Sequence, residues 1–327
     1  MRLLKQLFAG QFDVTSVYSE WTEKRRPNDG VLQRVDFRSV IWTGNHLVAV
    51  GTAIYTSPDG DTWTKRASVA NGHMRSVVWT GKLLVAVGVE IADDPGIMSF
   101  GPSHTRGIVL TSPDGVEWTR LHRWDWTNFS GVVWTGTKLV SVGTHGSVMV
   151  SRDGSSWERE RLQTWSTTTK RYADVGIPWD LCQIIWTGNL FLAIGNRSSS
   201  FSAIILSSPD GLNWTYQHEA AGVTLYGITW TGKQFIAVGL PGVILTSSDG
   251  VEWTKRHSPT KAVLKSVACA GGEIIAVGWK GTTLTSRNAA EWTARKTIGL
   301  YDDLNSVVWT GSRLVAVGDG GNILTAP

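Results

Sequence analysis

Residues 252–256 read EWTKR and close a repeating unit. A near copy, EWTEKR, stands at residues 20–25, before any unit has opened. A repeat whose last piece comes first constrains the chain more than its composition does. The first half of the unit, SVVWTGKLLVAVG at Ser76–Gly88, recurs around Trp42, Trp79, Trp134, Trp186, Trp230, Cys269 in place of Trp, and Trp309. That makes seven copies. The second half, S-x-D-G-x-x-W or a relative of it, ends at Trp63, Trp118, Trp157, Trp214, Trp253 and Trp292. That makes six. The seventh copy stops at NILTAP, short of its Trp, and the missing piece is the one that carries Trp21. Internal repeats of this length are the signature of stacked or ring-shaped architectures.

Each unit holds four short strand signals, which we call A (SVVW), B (LVAV), C (VILTS) and D (EWTKR). The segments TGK and SPDG supply tight turns between A and B and between C and D. Strands A and B are apolar on both faces, so each sheet must be covered on both sides. Strand B places Ala49, Ala86, Ala193, Ala237, Ala276 and Ala316 in one register, with Ser141 in the remaining unit. A small side chain at one place in every unit implies neighbouring sheets packed closely there. Four-stranded sheets arranged radially meet these demands, and the fold class is all-β, a seven-bladed β-propeller. An open ring would leave two unpaired sheet edges. Supplying the last blade's outer strand from the N-terminus closes it, so blade seven is 304–327 plus the strand around 17–25. Residues 13–327 then form one propeller. Residues 1–12, with Leu3, Leu4, Leu7 and Phe8 on one helical face, read as a short amphipathic helix suited to docking on a partner.

The SPDG-x-x-W segments resemble the Asp-box (BNR) repeats of sialidases and of photosystem assembly-factor propellers, over nearly the whole chain. They carry one residue fewer between Asp and Trp than the usual box. Blade six reads SRNAAEW, with Asn288 and Ala289 replacing Asp and Gly, and is expected to have lost the box. The resemblance implies that these residues are structural and lie away from the active face. The compact units also resemble those of phage tail and virion proteins, bacterial surface adhesins and WD40-like propellers.

B–C and D–A connections lie on one face of the disc, and they carry every long insertion. These are Val89–Gly107, Leu121–Phe129, Glu158–Asp180 and Asn196–Ala203, all in blades two to four. Long loops on a rigid scaffold are where binding residues concentrate. Of 18 tryptophans, the five outside the repeat, Trp124, Trp126, Trp165, Trp179 and Trp279, all fall in such connections. Two readings fit them: a recognition surface, or insertions that bury their own rings. On the first reading the candidate partner-binding residues are His122, Arg123, Trp124, Trp126, Trp165, Arg171, Tyr172, Trp179 and Trp279. The first residues of the A strands, including Arg38, Arg75, Tyr226 and Lys265, are expected to ring the mouth of the central channel.

Charge does not single out nucleic acid, since Val89–Gly107, Arg120–Ser130 and Glu158–Asp180 together hold seven basic and eight acidic residues. The net +4 comes instead from cations after the strand D tryptophans, such as Lys65, Arg66, Lys255 and Arg256, which discourage edge-to-edge pairing. Two cysteines in non-neighbouring units imply no disulfide, and no apolar run is long enough to span a membrane. The histidines lack zinc-ligand spacing and no cofactor motif appears, so neither metal nor cofactor is expected. Two arginines and a tyrosine, Arg38, Arg75 and Tyr226, are the types sialidases use, with Asp93, Asp94 or Glu219 available as acid. The arginine–isoleucine–proline segment of sialidases is absent, so a glycoside hydrolase is the second alternative. The primary expectation is a non-enzymatic propeller of a virion, made in the cytoplasm without an export signal, that meets a host receptor or glycan. The first alternative is a cytoplasmic assembly or scaffold factor that binds a protein partner.

Overall fold

The computed structural model describes residues 21–24, 35–91, 105–125, 127–160, 163–166, 171–174, 179–197, 201–295 and 302–327. The expected helix at 1–12 lies outside them. Among the described residues seven sheets form, six antiparallel ones of four strands and a mixed one of six. Their innermost strands are Phe37–Trp42, Gly72–Trp79, Phe129–Trp134, Trp179–Trp186, Thr224–Trp230, Leu264–Ala270 and Leu304–Trp309. Each packs against the next, and the seventh packs against the first, so the sheets are the blades of a closed propeller.

The core lies between the blades. Seven apolar clusters form, each shared by two neighbouring sheets. Strand B shows how one sequence serves two interfaces. In Leu47–Gly51, Leu47 and Ala49 face blade seven, while Val48 and Val50 face blade two. Alternate side chains point to opposite faces of a strand, so a strand buried on both sides must be apolar throughout. The small B-strand residue faces the preceding blade each time. In blade three Ser141 fills that place by donating its hydroxyl to Gly131 O at 3.0 Å.

The ring closes with the N-terminal strand. Thr22–Lys24 pairs antiparallel with Ile323–Ala326, Thr22 opposite Thr325 and Lys24 opposite Ile323. Trp21 is 4% exposed and packs with Leu304, Leu314 and Ala326. The seam is then fastened to blade one. Lys24 Nζ and Arg313 Nη1 each lie 2.8 Å from a carboxylate oxygen of Asp61. Arg313 also donates to Asp59 O at 2.9 Å. The same contact holds other pairs of blades, where Lys138 donates to Asp210 O and Gln234 to Asn288 O. The closing interface is therefore built like the internal ones.

The C–D turns repeat one hydrogen-bond pattern. In blade one, Asp59 Oδ1 accepts the N–H groups of Asp61 and Thr62, and Gly60 N–H donates to Ser57 Oγ. Trp63 Nε1 then donates to Gly60 O at 2.9 Å. The chain turns back because Gly60 takes a φ of +83°, open to a residue without Cβ. Blade six was expected to have lost this turn, and it has kept it. Asn288 Oδ1 accepts from Ala290 and Glu291, and Trp292 Nε1 donates to Ala289 O. An amide oxygen accepts these bonds as a carboxylate does, and Ala289 adopts the left-handed φ of 61° itself.

Candidate functional site

All seven inner strands break register at the same place, between Phe37 and Ser39 in blade one and between Met74 and Ser76, Phe129 and Gly131, Leu181 and Gln183, Leu225 and Gly227, Leu264 and Ser266, and Leu304 and Ser306 in the others. A bulge inserts one unpaired residue and re-aims its side chain. The bulged residues are Arg38, Arg75, Ser130, Cys182, Tyr226, Lys265 and Asn305. All seven line one cavity of about 390 Å³ at the centre of the ring, on the face of the B–C and D–A connections. At the next residue the chain is back in register, and there serines clip the blades together. Ser306 Oγ accepts the Val40 N–H, Ser76 Oγ that of Val132, and Ser266 Oγ that of Val307, at 3.2–3.3 Å. Gln183 Oε1 does the same for Ile228 N–H at 2.7 Å.

The rim is braced by a second repeated contact, which the sequence motifs do not display. A carboxylate two residues before the bulge accepts the middle N–H of the preceding blade's B–C turn. Asp36 takes Gly320 N–H at 2.9 Å, Asp180 takes His145 N–H at 3.1 Å and Asp303 takes Lys280 N–H at 3.2 Å. Those three turn residues have φ of 67°, 55° and 50°. In blade five the middle residue is Pro241, which has no N–H to give, and the facing position in blade six is Val263.

The mouth divides electrically into two halves. Across blades six, seven and one runs a continuous network. Lys265 Nζ reaches Asp303 Oδ2 (3.0 Å) and Asn305 Oδ1 (2.7 Å). Asn305 Nδ2 donates to Asp319 Oδ1 (2.6 Å), which also pairs with Arg38 Nη1 (3.1 Å). Blades two to five contribute Arg75, Ser130, Cys182 and Tyr226 instead. Arg75 Nε donates to His73 Nε2 and Arg75 Nη1 to Ser130 Oγ, both at 3.2 Å. Burial, reinforced by the charges of Arg75 and Arg38 and opposed by Asp36, pulls the His73 pKa down to about 4. The ring is therefore neutral near pH 7 and accepts from Arg75. Burial also lowers the Arg75 pKa, with Arg38 adding to the effect. The Cys182 thiol is pushed up to about 12 by burial and donates to Leu225 O at 3.2 Å, which makes it a packing group and not a nucleophile. Tyr226 is 38% exposed, its ring available from the channel. His73 and Arg75 also border a second cavity of about 350 Å³ under blade two, lined in addition by Asn128. Among the described residues the buried Oδ1 of Asn128 has no hydrogen-bond partner.

The candidate partner-binding residues do not form one loop cluster. His122, Arg123 and Trp124 belong to blade two's outer strand, Thr119–Asp125, where Trp124 pairs with Gly107. Trp126 lies outside the described residues. The long link between blades three and four contains two strands, Gln163–Ser166 and Arg171–Asp174, where an irregular connection was expected. The first of these runs parallel to Asn213–Ala221, with Trp165 beside Thr215, and the second pairs Tyr172 with Trp165 and Arg171 with Ser166. This ribbon widens blade four outward, which places Trp165, Arg171 and Tyr172 at the outer edge. Trp179 is half-buried, its ring 5.5 Å from that of Tyr216 and 5.4 Å from the Arg197 guanidinium. Trp279 is 45% exposed, in the blade-six turn whose next residue, Lys280, is bound by Asp303.

No protein-family model matches the chain, and no curated protein does. Solved structures match its fold. YCF48 from Cyanidioschyzon merolae is 16% identical, with a TM-score of 0.68 over 94% of this chain and 98% of that one. Virginiamycin B lyase from Staphylococcus aureus is 9% identical, with a TM-score of 0.68 over 94% and 98%. The WD40 propeller domain of Doa1 is 13% identical, with a TM-score of 0.63 over 95% and 96%. At such identities the likeness is one of fold.

Proposed function

We propose that this chain is a binding propeller that holds a protein partner at the mouth of its central cavity. One observation carries the reading. The bulge recurs in all seven blades, yet the residue it turns inward is Arg, Arg, Ser, Cys, Tyr, Lys and Asn in turn. Elsewhere the repeats keep their residues because packing demands it. A position whose backbone is repeated and whose side chain is not is one that the scaffold leaves free for recognition. One of the similar structures, YCF48 bound to D1 peptide, is a propeller that holds a peptide in its own right. Host-receptor recognition by a virion and cytoplasmic scaffolding belong to the same proposal and differ in which protein is held.

Panning a displayed random-peptide library on the purified chain tests it. Enriched peptides should bind the wild type and lose binding to Arg75→Met and Tyr226→Ala. Peptides that bind both variants as well as the wild type would reject the mouth as the site.

A further inference from the structure

The central cavity has an uneven charge balance. Three cations enter it, and two are matched, Arg38 by Asp319 and Lys265 by Asp303. Among the described residues the third, Arg75, hydrogen-bonds only to neutral groups, the His73 ring and the Ser130 hydroxyl, and Asp180 acts on it only through space. A guanidinium carries five N–H donors, and these two bonds use two of them. The cavity wall adds further donors. The hydroxyls of Ser76, Ser266 and Ser306, which line the cavity, each accept a backbone N–H from the next blade and carry an O–H of their own. A half-buried guanidinium with neutral hydrogen-bond partners keeps N–H donors that an anionic ligand can fill.

We propose that Arg75 anchors a carboxylate at the centre of the ring. The charge count chooses the ligand. A single negative charge suits the site, because a phosphate or sulfate dianion would be repelled more strongly by Asp36, Asp180, Asp303 and Asp319 around the rim. A planar carboxylate also suits the guanidinium fork, which binds it through two parallel hydrogen bonds. The carboxylate comes from a free organic acid or from the acidic group of a polypeptide. The second cavity bordered by Arg75 holds the unpartnered Asn128 Oδ1, which would accept an amide N–H and so favours the polypeptide. The inference deepens the binding reading above but does not need the partner itself.

Isothermal titration of the full chain with propionate, N-acetylglycine and sulfate tests it. Propionate and N-acetylglycine should bind and sulfate should bind at least about tenfold more weakly. Tighter binding of N-acetylglycine assigns the site to a polypeptide carboxylate, and equal binding to a free acid. Arg75→Met should lose about tenfold or more in affinity, and Ser130→Ala, which leaves the guanidinium in place, a smaller factor. Sulfate binding as tightly as the carboxylates, or unchanged affinity in a folded Arg75→Met or Ser130→Ala protein, would overturn the proposal. Failure of the peptide panning with retained carboxylate binding would remove the partner reading alone.

Discussion

The C–D turn and the inner-strand bulge are both repeated around the ring, and they repeat in opposite ways. At the turn the chain repeats side chains as well as backbone. Ser, Asp or Asn, and Trp recur with the same hydrogen bonds, even in blade six where Asn288 and Ala289 replace Asp and Gly. At the bulge only the backbone repeats. The turn is tied to stability because its Trp fills the gap to the preceding blade, and each interface needs the same plug. The bulge faces the channel, where each blade presents a different side chain to different neighbours. Repetition within one chain thus separates the residues that hold the ring from those that it displays.

The largest effects should follow from removing the plugs. Trp214 is fully buried, and Trp214→Ala should cost about 3–5 kcal/mol in equilibrium denaturation. Trp21→Ala should cost a similar amount, because the N-terminal strand closes blade seven with the same contact that strand D makes elsewhere. A much smaller loss for Trp21 would make the closing blade unlike the others.

Gly250→Ala comes next, at about 1–2 kcal/mol, the penalty for a Cβ at φ +80°. Ala289 shows that the turn survives it, although the new Cβ would meet Leu192 Cδ1 at 3.2 Å. A protein that fails to fold would show that blade six is a special case.

Acid should separate the two regions by pH. His73 has a folded pKa below its unfolded value, so the unfolded chain takes up the proton first. Stability should therefore fall as pH drops from 6.5 to about 4, and His73→Gln should flatten that limb. The turn carboxylates act lower. Burial raises the Asp210 pKa, but the N–H groups of Asn213 and Leu212 outweigh it and bring it down to about 2. Its contribution is present above pH 4 and lost between pH 4 and about 2. Asp210→Asn should remove that lower limb while changing stability at pH 7 by less than about 1 kcal/mol, since Asn288 already serves blade six. Tyr226→Ala at the bulge should have the smallest effect on unfolding, below about 0.5 kcal/mol.

The ring and its closure were legible because packing imposes residue identity. Trp21 before the first unit, NILTAP at the end and the B-strand alanines all record interfaces between blades. The residues entering the channel could be placed because they precede a repeated apolar string. Their shared bulge could not, since a register break lies in the hydrogen bonds and not in residue type. The ribbon of Gln163–Ser166 and Arg171–Asp174 was hidden because its partner, Asn213–Ala221, lies far along the chain and its pattern matches no unit. Trp179 shows the limit of counting aromatics. Its place in a connection left exposure and burial both open, and in the structure Tyr216 and Arg197 pack against it. The Asp36, Asp180 and Asp303 clasps were missed because each joins two blades, and only the pairing of Pro241 with Val263 hints at the rule.

The division of labour between turn and bulge is tested most directly by measuring unfolding and N-acetylglycine binding on the same two variants, Arg75→Met and Trp214→Ala. The account predicts that Arg75→Met keeps the wild-type denaturation midpoint and loses binding. It predicts that Trp214→Ala, kept at a temperature where it is folded, binds as the wild type does and unfolds at a much lower midpoint. A midpoint for Arg75→Met as low as that of Trp214→Ala, with binding intact, would contradict it.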